Sequence, residues 1–149
     1  KSRMAKAYNI AGVEMPLYDL GWSSPAGQMY SSTNDLAKFM IMFLKDNNGT
    51  SEILPAKWLA EMMNPVFVNQ DGQSGFGTPW EMMYLQNYWV KQKGGSLGGF
   101  LSSFNVIPEI QLGFSILFNG PCSTSQATDS FMNNVIPALK SVLDDLAPP

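Results

Sequence analysis

At 149 residues, 45% apolar and 14% charged, the chain is long enough for one domain with a sizeable core, and its charge lies below the about 25% of an ordinary soluble domain, which fits a chain that buries more than its own faces. Nine basic against twelve acidic residues, scattered along the chain to a net charge of −3, leave no basic stripe and argue against a nucleic-acid partner, and no run approaches the about 18 apolar residues that a transmembrane segment needs. The absence of histidine excludes Ser-His-Asp catalysis, Cys-His catalysis and histidine-based metal sites within these residues.

In chain order, Lys1-Ser2-Arg3-Met4 does not read as a signal peptide. A short strand is predicted around Ala7 to Val13, and Leu17 to Gly27 reads as loop with a turn at Trp22-Ser23-Ser24-Pro25. Ser32-x-x-Asp35 resembles a capping box with aspartate in the glutamate place. Leu36, Phe39, Met40, Phe43 and Leu44 follow at helical spacing, so an amphipathic helix is predicted from Ser32 to about Asp46, its stripe packing in the core. Asn48-Gly49-Thr50 is a glycosylation sequon that reads equally as the turn after that helix. Pro55 to Met63 predicts a second helix, with proline in its first turn and Asn64-Pro65 beyond its end. Val66 to Thr78, polar and glycine-bearing, reads as a surface loop.

Strands are predicted over Trp80 to Tyr84 and Tyr88 to Lys93, joined by Leu85-Gln86-Asn87, and over Phe100 to Ile107 and Leu112 to Asn119. In the last, Leu112, Phe114, Ile116 and Phe118 share one face, apolar enough to receive a helix. That helix is predicted from Ser125 to Leu146, with the stripe Phe131, Val135, Leu139, Val142 and Leu146, and a kink or restart at Pro137. The near-paired Met40, Met42, Met62, Met63, Met82 and Met83 read as gap-filling core. Cys122 is the single cysteine, so it forms no disulfide within this chain, and it reads as a small packed or edge residue without a base to activate it.

Lys93-Gly94-Gly95-Ser96, followed by Leu97-Gly98-Gly99-Phe100, carries the most chemistry. A lysine at a strand end, followed by residues without bulk, leaves backbone N–H groups open to a cleft, so amide donors and one cation converge as an anion or oxyanion pocket. The residues alone also fit a glycine-rich strand turn beside a solvated lysine.

The segment resembles the third motif of the penicillin-recognising serine hydrolases, Lys-Thr-Gly or a variant, which follows the strand bordering their active site. Upstream, the run from Pro25-Ala26-Gly27-Gln28-Met29-Tyr30 through Ser31-Ser32-Thr33-Asn34-Asp35-Leu36-Ala37-Lys38-Phe39 is similar to the Pro-Ala-Gly-Gly-Leu-x-Ser-Thr-x-x-Asp-Leu-Ala-x-Phe run of class C β-lactamases, related esterases and peptidases. Downstream, a strand, a Pro108-Glu109 turn, a strand ending in Asn119-Gly120 and a terminal helix follow in the same order. The family's Ser-x-x-Lys and Tyr-x-Asn motifs, which precede the region matched, are absent: no serine here has lysine three residues on, and no tyrosine has asparagine two residues on.

The resemblance implies the C-terminal portion of a β-lactamase-like protein: an α+β fold, a fragment of an α/β sandwich, with an antiparallel sheet of about three strands, a C-terminal helix packed on it, and helices of the helical subdomain. Residues 1–74 would form the helical and loop side and 75–149 the sheet and C-terminal helix. It implies acyl transfer on an amide or ester through a serine acyl-enzyme. Lys93 would act electrostatically and attract a substrate carboxylate, Ser96 would supply half of an oxyanion hole from its N–H, and Gly94 and Gly95 would let substrate lie along the strand. Gly94 stands where threonine is common, so a substrate-binding hydroxyl is lost. No cofactor and no metal are implied. The partners implied are an N-terminal half or second chain carrying the nucleophile, or self-association, with a small acyl compound or peptide as substrate. The other reading is a non-catalytic binding or scaffold domain. The resemblance favours an extracellular or periplasmic setting.

Overall fold

The hydroxyl of Ser32 starts the first long helix. Its Oγ accepts the Asp35 N–H at 3.2 Å and donates to Asp35 Oδ2 at 2.9 Å. The aspartate side chain meets the cap's hydroxyl rather than its backbone N–H, as its shorter reach allows. In the computed structural model, which describes residues 4–44 and 53–146, this helix, α2, spans Thr33–Leu44. The continuation to Asp46 and the Asn48 sequon lie outside the described residues. Ahead of it, β1 (Ala7–Tyr8) and β2 (Glu14–Met15) make a small hairpin where a single strand was predicted. The chain reverses there because Asn9 Oδ1 accepts the N–H groups of Ala11 and Val13, at 2.9 and 3.0 Å. The stretch read as loop contains a 3₁₀ turn, Gly21–Ser23, and the four-residue helix α1, Ser24–Gly27. The Gln28 amide holds it together, accepting from Leu20 N–H and Ser24 Oγ and donating to the Tyr18 carbonyl. Helix α3 (Ala56–Met62) follows Pro55, as predicted.

The sheet is antiparallel and six-stranded in sequential order: β3 (Phe67–Val68), β4 (Ser74–Phe76), β5 (Glu81–Leu85), β6 (Tyr88–Leu97), β7 (Phe100–Ile107) and β8 (Leu112–Phe118). Adjacent β6, β7 and β8, with α4 (Thr124–Leu146) against β7 and β8, are the arrangement the resemblance implied. The sheet is wider than three strands. Short β3 and β4 arise within Val66 to Thr78, which the sequence presented as loop. That hairpin is closed by Asp71, whose Oδ1 accepts the N–H groups of Gln73 and Ser74 while Oδ2 accepts the Ser74 hydroxyl. Its strands lack apolar alternation, which hid them.

The predicted end of β6 at Lys93 is also corrected. Gly94, Gly95 and Ser96 remain extended, paired with Ser103, Ser102 and Leu101, and the strand runs on to Leu97. The reversal falls on Gly98 and Gly99, with φ of +54° and +85°. Two successive residues at positive φ are what a tight two-residue hairpin requires, and glycine supplies them without strain.

Each face of the sheet carries a core. On one, Met40 and Phe43 of α2 and Leu59 of α3 pack with Trp80, Met82 and Val106. On the other, Met132 and Ile136 of α4 pack with Val90, Ile107 and Ile110, and the Phe114 and Phe131 rings stack at 4.0 Å. The methionine reading holds for five of the six: Met40 and Met82 are buried, and Met42, Met62 and Met63 pack against that core, whereas Met83 belongs to neither core and its Sδ accepts from Gln92 Nε2. The α4 stripe is rotated from the predicted one. Thr128, Met132 and Ile136 are buried, whereas Leu139 is 38% and Val142 55% exposed. Among the side chains described in this helix, Ile136 is the last that is buried. The helix runs unbroken through Pro137, without a restart. The side chain of Leu146 lies outside the described residues. Among the described residues, no helix is long and apolar enough to cross a membrane.

Candidate active-site strand

The two-residue turn at Gln86 and Asn87, both at positive φ, sets the pairing of β5 with β6. β5 begins at Glu81, opposite Gln92, and that ladder reaches no further along β6. From Lys93 to Leu97, β6 therefore pairs with β7 on one side, and among the described residues no strand pairs with it on the other. Alternate residues of an antiparallel strand direct N–H and C=O to the same side. This segment consequently offers backbone donors and acceptors to whatever lies beside it, and residues 93 to 96 are exposed.

Lys93 stands at the start of that open edge. Its Nζ donates to Glu81 Oε1 at 2.7 Å and to the Gly94 carbonyl at 3.0 Å. Both side chains of the ion pair are about half exposed, and such a pair contributes at most about 1 kcal/mol. Lys93 can therefore exchange Glu81 for another anion at little cost. Gly94 and Gly95 differ in the space around them. A Cβ on Gly94 would find nothing nearer than 4.0 Å, whereas one on Gly95 would meet Ser102 Oγ at 2.5 Å. The Gly94 position has room for the side chain it lacks, while Gly95 holds the cross-strand Ser102 hydroxyl against the backbone.

Two arrangements escaped sequence reasoning. Glu81 was read only as part of a strand, although counting back from the Gln86-Asn87 turn places it opposite Gln92, diagonal to Lys93. The second is the β1–β2 hairpin, brought beside Ser96. Tyr8 N–H donates to the Asn119 carbonyl and Asn119 Nδ2 to the Lys6 carbonyl, each at 2.8 Å. No local signal announces contacts across 113 residues of chain. Behind the open segment, facing α4, Ser103, Asn105 and Thr128 are buried together. Asn105 Nδ2 donates to Ser103 Oγ at 2.9 Å, and Ser103 Oγ lies 3.3 Å from Thr128 Oγ1. Cys122 is free and exposed, in the loop between β8 and α4 and not packed as a small core residue. Among the described residues, no group of three or more histidine, cysteine, aspartate and glutamate side chains converges as a metal site.

The family model described as Beta-lactamase matches residues 2–134. The chain belongs to the β-lactamase family. Relatives within this family include a human beta-lactamase-like protein, 31% identical over 99% of this chain and 30% of its own length. Beta-lactamase-like protein 2 of Dictyostelium discoideum is 38% identical over 72% of this chain and 19% of its own length. Beta-lactamase-like protein 1 of the same organism is 34% identical over 62% of this chain and 18% of its own length. This β-lactamase-like chain thus spans less than a third of the length of these relatives. No solved structure matches it significantly.

Proposed function

We propose that this chain forms one wall of a β-lactamase-like serine hydrolase active site, acting on an amide or ester by acyl transfer, with the serine nucleophile supplied by a polypeptide segment outside these residues. The observation that carries this reading is the open edge of β6 from Lys93 to Leu97, exposed over residues 93–96 and starting at a lysine. A substrate backbone laid along that edge pairs with it as an added strand, and Gly94 and Gly95 present no side chain to hold it off. Lys93 attracts a substrate carboxylate in exchange for Glu81, and the Ser96 N–H serves as one oxyanion donor. The absence of Ser-x-x-Lys and Tyr-x-Asn from the sequence, and coverage of less than a third of the relatives, support a nucleophile from elsewhere.

The chain alone is expected to resist acylation by penicillin or fluorophosphonate probes; stoichiometric acylation, read by intact mass, would refute this. In a longer protein that contains this sequence and a Ser-x-x-Lys segment, Lys93→Ala is expected to lower kcat/KM by about 10²-fold. Unchanged kcat/KM would remove Lys93 from the site. The ion pair of Lys93 with Glu81 and the missing threonine hydroxyl at Gly94 favour a second reading, a non-catalytic binding or scaffold domain. Ligand binding at Lys93 without turnover in that longer protein would establish it.

A further inference from the structure

Asn119-Gly120 follows β8 directly and is one of two Asn-Gly pairs in the sequence. Glycine after asparagine leaves the next peptide nitrogen without a neighbouring Cβ to shield it. Here that nitrogen is open: among the described residues the Gly120 N–H makes no hydrogen bond, and a Cβ on Gly120 would meet nothing within 4 Å. Asn119 is exposed, but both of its polar groups are held by β1. Its Nδ2 donates to the Lys6 carbonyl and its own carbonyl accepts the Tyr8 N–H, each at 2.8 Å. These two bonds fasten the β1–β2 hairpin to the exit of β8. The hairpin so held supplies Tyr8, Ile10 and Met15 to the lining of a cleft of about 190 Å³ that also includes Ser96, Leu101 and Pro121.

We propose that Asn119 is a site of spontaneous deamidation, and that the reaction acts as a one-way latch on the β1–β2 hairpin. The Gly120 nitrogen attacks Asn119 Cγ. The new C–N bond closes a cyclic succinimide, the Cγ–Nδ2 bond breaks, and Nδ2 leaves as ammonia with the proton that the Gly120 nitrogen gives up. Water then opens the ring at the side-chain carbonyl to give aspartate, or at the main-chain carbonyl to give isoaspartate. In sum one water is taken up and one ammonia released, with no oxidation or reduction. While the hairpin is docked, its hydrogen bonds keep the Asn119 side chain from turning onto the Gly120 nitrogen, so attack follows when the hairpin lifts. After conversion the amide donor is gone. A carboxylate faces the Lys6 carbonyl oxygen, acceptor against acceptor, and that bond is not remade. In isoaspartate the main chain is longer by one methylene, which also displaces the carbonyl that the Tyr8 N–H needs. Redocking is weakened in both products, and the cleft beside Ser96 loses the support of one of its walls.

The test is peptide mapping of this chain held in warm, mildly alkaline buffer. The mass gained on exchange of the amide for a carboxyl is read at Asn119 separately from Asn48-Gly49, and isoaspartate is read by enzymatic carboxyl methylation. The unaltered chain is expected to convert at Asn119, and Gly120→Ala to convert about tenfold more slowly because a Cβ shields the nitrogen. Asn9→Ala removes the acceptor of the Ala11 and Val13 N–H groups that shapes the hairpin, and is expected to speed conversion about tenfold by loosening the docked state. Amide exchange in β7 confirms that each variant is folded. Exchange at the Tyr8 N–H is expected to rise in the converted protein and in Asn119→Asp, which carries one product from the start. Absence of conversion at Asn119 in both the unaltered chain and Asn9→Ala, equal rates in the two, or Tyr8 exchange unchanged both after conversion and in Asn119→Asp would each overturn the proposal.

Discussion

Glycine does three different jobs within twenty residues of β6, β7 and β8, and the surroundings of each position decide what a side chain would cost. At Gly94 the space is open, so Gly94→Ala is expected to change stability by no more than about 0.5 kcal/mol. At Gly113 a Cβ would stand 2.9 Å from Met40 Sδ and 3.1 Å from Leu44 Cδ1, so Gly113→Ala should cost about 1–3 kcal/mol by overpacking α2 against β8. Gly99 has both positive φ and close backbone, and Gly99→Ala should cost a similar amount. Urea midpoints of the three variants check the order. Lys91 makes a different residue-scale case. Its side chain is 5% exposed and paired with the Glu109 carboxylate, while opposite neighbours Met82 and Val106 are apolar. Glu109→Gln leaves that charge nearly buried and poorly paired, which is expected to destabilise by about 3 kcal/mol, whereas Lys91→Met with Glu109→Gln should recover much of the loss. A double-mutant cycle in urea measures this.

At the scale of elements, the β3–β4 hairpin depends on one carboxylate. Hydrogen bonds from the Gln73 N–H and then the Ser74 hydroxyl hold the Asp71 carboxyl below its ordinary value. A depressed folded-state pKa means that the stabilisation is present above the unfolded aspartate value and is lost as pH falls through the lower folded one. Amide exchange at Ser74 to Phe76 is therefore expected to accelerate in acid below the ordinary aspartate range, before β6 and β7 respond. In Asp71→Asn that acid step should disappear; its persistence would assign it to another group. Asp35, lowered chiefly by the Lys38 ammonium and then by the Ser32 hydroxyl, adds the same sign at the start of α2. In α4, Met132→Ala is expected to cost about 2–5 kcal/mol and Val142→Ser little, because the first is buried and the second 55% exposed. A helical stripe was legible in this segment, but not which of two overlapping stripes faces the sheet. Thr128, a polar residue, belongs to the buried one because Ser103 and Asn105 await it across the interface.

For the whole molecule, the edges of the sheet are the exposed fact. β8 pairs with β7 alone among the described residues, and Leu112 to Phe118 contains neither charge nor proline to discourage a further strand. Elsewhere on the surface Ile10, Trp22 and Met29 are each at least 90% exposed. The chain by itself is expected to self-associate with rising concentration, and Leu117→Lys, placing a charge on β8 at a 40% exposed position, should weaken that association without lowering stability. Sedimentation velocity distinguishes the cases, and a monomer at all soluble concentrations would contradict the expectation.

Local chemistry and residue period carry the elements that were legible in the chain. Ser32 and Asp35 start α2, Pro55 starts α3, alternating residues mark β7 and β8, and the order of motifs marks the family. Each is carried by residues close together in the chain. The tertiary structure alone decided how far β6 extends, which stripe of α4 is buried, and that β1–β2 lies beside Ser96 while Glu81 lies on Lys93. Glycine has no side chain to signal a strand, so Gly94 and Gly95 became strand only through their pairing with Ser103 and Ser102. A cleft built from residues 8, 96 and 121 depends on packing between segments that share no local signal. Lys93 and Ser96 could thus be put forward as candidates from the chain, but their surroundings had to come from the fold.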